Sequence, residues 1–269
     1  MTFELIENSI DLGKPIRLYK FQRGVVSWCY CSADRDITYQ SQKFKAVVGG
    51  ISDSGILQSG EVGADAFEIT APMLDVAQLY RNVGPSSAVE VTVYEIHYGD
   101  AEAIIRYMGE IVSVKFPQVD RCVVVCNAGS LEQTGLRFTW GPGCNYQWAD
   151  HNCGVDREFY KVESFIQTMD GLTISNGEFA SFDDGYFAGG EIEWPVGQGL
   201  FDRRGIVAHV GSTLELLGGT SGLTPNTSIV VFPSCDKTFE SCGFYNNQEN
   251  YGGAPDSPDK SPFDGDPIF

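Results

Sequence analysis

Basic side chains are scarce in this 269-residue sequence: 18 Lys and Arg stand against 36 Asp and Glu, a formal net charge of −18. A surface that acidic repels phosphate backbones and anionic headgroups, which argues against nucleic acid as a partner. Solubility, or a charged face within an assembly, is then its use. Long apolar runs are missing too. None approaches the roughly 18 residues of a membrane span, so no stable membrane insertion is expected. The opening Met1-Thr2-Phe3-Glu4-Leu5-Ile6-Glu7 places acids where a secretory signal carries positive charge. Folding in a reducing cytoplasm is the expectation, and that compartment disfavours structural disulfides. There is no Gly-x-Gly-x-x-Gly turn opening a helix and no phosphate loop ending Gly-Lys-Ser/Thr. Asp256, Asp264 and Asp266 lack the spacing of a calcium-binding EF-hand loop.

What is present reads as β structure. Apolar residues make up 42% and charged residues 20%, ordinary values for a folded protein. The length suffices for two domains with separate cores. Runs rich in Val, Ile, Thr, Phe and Tyr, separated by Gly, Asp or Ser, predict strands at 15–21, 25–30, 36–39, 44–48, 67–70, 87–97, 104–116 and 121–126. Apolar residues at helical spacing predict a short helix over 74–83. Periodicity lapses between 127 and 143, where Trp140-Gly141-Pro142-Gly143 breaks the chain. Further strands are predicted at 161–168, 171–175, 189–194 and 204–210. The expected architecture is mainly β: a barrel or sandwich over 1–130, then a β-rich, cysteine-containing domain over 131–255. Residues 256–269, rich in Pro and Asp, read as an extended arm ordered by contact with something else.

Eight cysteines divide into two groups. Cys29 with Cys31, and Cys122 with Cys126, lie at even spacing within predicted strands, which puts each pair on one sheet face and predicts core packing. Cys144 and Cys153 enclose eight residues, and Cys235 and Cys242 enclose six; all four sit among turn formers and aromatics. Loops converge on a metal more easily than strand interiors do. Tetrathiolate ligation suits zinc or an iron–sulfur cluster, but zinc sites favour Cys-x-x-Cys knuckles that are absent here. By spacing alone a metal centre, two disulfides and unrelated buried thiols all stay open.

The residues around these cysteines carry a resemblance. Trp140-Gly141-Pro142-Gly143-Cys144, Cys153-Gly154, Pro233-Ser234-Cys235, Cys242 and Phe244-Tyr245-Asn246-Asn247, continuing through Tyr251-Gly252-Gly253-Ala254-Pro255, resemble the C-terminal domain of phage tail-tip hub proteins. That family includes bacteriophage lambda protein L and the hub protein of gene transfer agents. The stretches 186–194 and 209–211 look like its middle strands, and 30–39 is similar to the β-rich hub domain. The resemblance implies that Cys144, Cys153, Cys235 and Cys242 ligate a [4Fe–4S] cluster, with zinc as the second choice. It also implies a structural, non-enzymatic protein of the virion tail tip. Such a protein forms a ring with itself, usually a trimer, and joins the distal tail protein to the central fibre or tip. The extension after Pro255 departs from the pattern.

A competing reading is a tail-associated cell-wall cysteine peptidase, with Cys144 as nucleophile and His209 as its base. Cys144 follows Gly-Pro-Gly in a loop, however, and does not start a helix that would lower its pKa. Asp183-Asp184, beside Gly185, reads as a solvated turn.

Overall fold

The computed structural model describes residues 15–56, 66–97, 99, 102–128 and 138–257. The chain divides into two compact units, Met1–Glu132 and Gln133–Phe269. Most of the expected arm, residues 258–269, lies outside the described residues. Both units are mainly β.

The first unit contains strands β1 (Pro15–Arg23), β2 (Val26–Cys31), β3 (Ile37–Tyr39), β4 (Gln42–Ala46) and β5 (Ser52–Asp53), followed by β6 (Phe67–Pro72), β7 (Glu90–His97), β8 (Ala103–Gln118) and β9 (Arg121–Ala128). They form one sheet in the order β3-β4-β2-β1-β7-β8-β9-β6-β5. Neighbours pair antiparallel except β2 with β4, which run parallel. Strand alternation explains how β1 serves two cores. Ile16 and Leu18 pack with Cys31, Phe44 and Ile96. Tyr19 and Phe21 pack with Phe67, Ile69, Val91, Val93 and Val124. Both Leu18 and Tyr19 are therefore buried, one toward each cluster.

The even-spaced cysteines do what their spacing predicts. Register pairs Phe67 with Cys126, Ile69 with Val124 and Ala71 with Cys122, and all six are buried. Cys31 is buried, and Cys29 is half-buried against the same cluster. The expected helix over 74–83 is shorter than its periodicity suggested. Only Asp75–Gln78 is α-helical; Leu79, Tyr80 and Arg81 then close tighter turns onto Val76, Ala77 and Gln78. Burial of Leu74, Val76 and Ala77 satisfies the apolar face within one turn, and Gly84-Pro85 stops any extension.

The second unit contains β10 (Val162–Phe165), β11 (Thr168–Asp170), β12 (Thr173–Ser175), β13 (Glu191–Gly197), β14 (Leu200–Val210), β15 (Thr213–Leu216) and β16 (Ser228–Phe232). Their order is β10-β16-β13-β14-β15-β12-β11. The core holds Ile166, Ile174, Phe179, Phe187, Ile192, Trp194, Leu214, Ile229 and Val231. Gly190 is required where the chain enters β13, because a Cβ there would stand 2.1 Å from the Phe232 carbonyl oxygen.

Candidate metal centre

The pairing of β10 with β16 builds the site. The two strands are antiparallel, with Val162 opposite Val231, so the chain enters β10 beside the point where it leaves β16. Residues before 162 and after 232 are thereby delivered to one end of the sheet. Arg157 fastens the entering segment: its guanidinium contacts Glu191 at 3.1 Å and Glu193 at 3.6 Å, and lies 3.8 Å over the Phe232 ring.

Each cysteine is set by local chemistry. Asp150 shapes the turn before Cys153: its carboxylate accepts the Gln147 amide at 3.0 Å, the Asn152 amide at 2.9 Å and the Cys153 amide at 2.7 Å. Burial opposes ionisation of Asp150, but these three donors win and hold its carboxyl below the ordinary range. Cys144 donates its amide to the Lys237 carbonyl at 2.8 Å, tying the first loop to the second. After Cys235, Asp236 accepts the Thr238 amide at 2.9 Å, and Lys237 takes a left-handed φ of 69°. Thr238 then caps the helix Phe239–Phe244 by accepting the Ser241 amide at 3.1 Å. Cys242 therefore stands on a short helix, where a loop was expected.

The fold brings the four thiols into one neighbourhood. Burial is the largest effect pushing the Cys235 and Cys242 thiols up from the ordinary value. The sulfurs of Cys153 and Cys144 push both further in the same direction; at Cys235, Lys237 and a backbone amide pull the other way. Four thiolates held this close would repel one another. Two N–H groups already point at sulfur: the Gly252 amide reaches Cys144 Sγ at 3.3 Å, and Asn247 Nδ2 reaches Cys153 Sγ at 3.6 Å. An aromatic cluster stands among the same segments. Tyr245 lies 5.6 Å from Trp148 and 4.9 Å from Tyr160 between ring centroids, and its hydroxyl donates to the Ser234 carbonyl at 2.9 Å. Tyr251 donates to the Lys237 carbonyl at 2.9 Å.

Among the described residues, no three Cys, His, Asp or Glu side chains converge tightly enough to grip a single metal ion. A tetrahedral zinc ion, with Zn–S bonds of about 2.3 Å, demands such crowding. Four thiol sulfurs are a soft donor set of the kind that both zinc and iron–sulfur clusters take.

His209 belongs elsewhere. It is buried in β14, its Nε2 lies 3.0 Å from the Gly211 carbonyl oxygen, and its ring packs 5.0 Å from Phe187. Among the described residues it makes no hydrogen bond to Cys144. Asp184, expected as a solvated turn residue, accepts the Gly211 amide at 2.6 Å. Asp150 was not singled out by motif; Asn247 and Gly252 lie in the stretch that carried the resemblance, but without an individual role. Asp150-His151-Asn152 just before a cysteine is a turn signal that could have pointed to Asp150.

Three likenesses to known proteins accompany this geometry. Residues 185–261 match a family described as "Phage conserved hypothetical protein BR0599". The chain is 30% identical over 95 residues to an uncharacterized protein of Xylella fastidiosa (strain 9a5c). That match spans 35% of this chain and 20% of the relative's length. The fold as a whole is similar to a chain in the solved virion of a native gene transfer agent (GTA) particle. The TM-score is 0.78 at 16% identity, over 99% of this chain and 96% of the other. At that identity the likeness concerns the fold. No helix among the described residues is long and apolar enough to cross a membrane.

Proposed function

We propose that this chain is a structural protein of a phage or phage-like particle: a tail-tip hub that joins the distal tail protein to the central fibre or tip, with copies of itself closing a ring, a trimer in the family it resembles. The observation that carries this reading is the fold likeness to a gene transfer agent virion chain over 99% of the sequence. The match of residues 185–261 to a phage-conserved family supports it independently.

In this reading Cys144, Cys153, Cys235 and Cys242 hold a [4Fe–4S] cluster that acts as a staple. The centre joins two segments that the sheet brings to one end but that little apolar burial locks there: Cys144, Cys235 and Cys242 are only half-buried. Ligation energy then becomes folding energy for the surfaces the block presents to its neighbours. The chain's own residues bind and orient the centre, and no catalytic step is required of them.

Two measurements test the proposal. Anaerobically purified protein should be brown and contain iron and acid-labile sulfide. Electron microscopy of particles from a strain carrying a tagged copy should find the tag at the tail tip. A tag on the capsid, or its absence from particles, would refute the hub reading. Zinc in place of iron would replace the cluster while leaving the staple.

A further inference from the structure

Asn247 connects more of the four-cysteine block than any side chain beside it. Its Nδ2 donates to the Cys153 carbonyl at 2.6 Å and reaches the Cys153 sulfur at 3.6 Å, across 94 residues of chain. An amide has two N–H groups, so both acceptors can be served at once. Its backbone amide donates to the Cys242 carbonyl at 3.1 Å; its own carbonyl accepts from the Cys242 thiol at 3.1 Å, a bond that ligation of Cys242 as thiolate would give up. Asn250 fixes the orientation by donating its Nδ2 to Asn247 Oδ1 at 2.8 Å. The residue is 9% exposed, so these bonds have little competition from water.

We infer that Asn247 is a positioning residue of the cysteine centre: it holds Cys153 and Cys242 in mutual register and supplies an N–H donor to the Cys153 sulfur. This rests on the cluster reading above. Hydrogen bonds to ligating sulfurs withdraw electron density and favour the reduced state of a cluster, and outer-shell partners of this kind govern affinity as well. Gly252 supplies the other N–H to sulfur from its backbone, which only the disruptive change to proline would delete. Asn247 is therefore the donor that mutation can remove.

The test uses the full chain, reconstituted anaerobically with iron and sulfide, as wild type, Asn247→Ala, Asn247→Asp and Asn250→Ala. Three quantities are read: iron and sulfide per chain, the midpoint potential by spectroelectrochemical titration, and the rate of cluster loss to a chelator. Asn247→Ala should shift the potential negative and speed cluster loss about tenfold or more, the range for outer-shell partners. Asn247→Asp should shift the potential further, because it adds negative charge. Asn250→Ala, which only frees the amide to rotate, should move both readouts less and in the same direction; it decides the matter if the Asn247 variants do not fold. A merely structural role would lower the melting temperature and leave the potential unchanged. Wild-type protein with a cluster, and variants equal to it in potential and loss rate, would overturn the role of Asn247 alone. Wild-type protein that takes up no iron and sulfide would overturn the cluster reading and this inference with it.

Discussion

The Gly252 amide donates to the Cys144 sulfur at 3.3 Å across 108 residues of chain. Such an approach leaves no room for a side chain: a Cβ on Gly252 would stand 2.6 Å from the Tyr146 ring, and one on Gly253 would stand 2.5 Å from the Gly143 carbonyl oxygen. The two glycines thread the second segment directly over the first.

Gly252→Ala should consequently loosen the cysteine block. Overpacking of this kind costs about 1–3 kcal/mol. Differential scanning calorimetry should show a lowered transition, together with a reduced metal content. An unchanged transition and full metal loading would mean that Tyr146 swings aside at no cost.

Cys235→Ser and Cys29→Ser should separate the two cysteine groups. The first removes a proposed ligand and should abolish most iron binding. The lost cross-link closes a loop of many tens of residues, so by chain entropy its removal is worth about 4 kcal/mol. The second alters a half-buried thiol in the first unit and should leave iron content intact. Elemental analysis and thermal melting distinguish them.

Alkylation should follow burial and ionisation. Cys126 is fully buried, and desolvation pushes its thiol up to about 12; Cys31 and Cys122 are buried and raised as well. Iodoacetamide acts on the thiolate, so these three should react only after unfolding. In chelator-treated protein the half-buried Cys29, Cys144, Cys235 and Cys242 should label before the buried ones. Mass spectrometry of digests reads the order directly.

The same shifts set a pH dependence for metal-free protein. Thiols whose folded value is raised bind protons more tightly than in the unfolded chain. Their contribution is complete below the ordinary value of 9.0 and is lost as pH rises from there toward about 12, the folded value of Cys126. The denaturant midpoint should fall between pH 8 and pH 10.5 (values taken to bracket the ordinary thiol range). Cys126→Val should remove part of that slope. A midpoint that rises over this range would contradict the assignment.

Much of the first unit was legible because alternation and burial agree there. Cys122, Val124 and Cys126 face one core at period two, and Phe67, Ile69 and Ala71 answer them across the ladder. The short strands of the second unit were harder to read. Thr213–Leu216 is only four residues long, and Ser228–Phe232 is a nearly continuous apolar run without alternation, so neither stood out. That second strand is nonetheless what brings the cysteine segments together, through its pairing with Val162–Phe165. Such a pairing is long-range and leaves no local pattern. The four cysteines were singled out by their residue setting and by the resemblance, whereas the roles of Asn247 and Asp150 were not: both act through hydrogen bonds whose partners are fixed only once the chain has folded.

Asp150 carries a consequence for how the centre is filled. Its carboxylate gathers three amides and sets the curve of the Cys153 turn using protein groups alone. On the cluster reading proposed above, incoming iron would meet one ligand loop already ordered by the polypeptide, so uptake at that loop would be closer to docking than to folding. Acidification that neutralises this carboxylate would release the three amides together and unmake the mould.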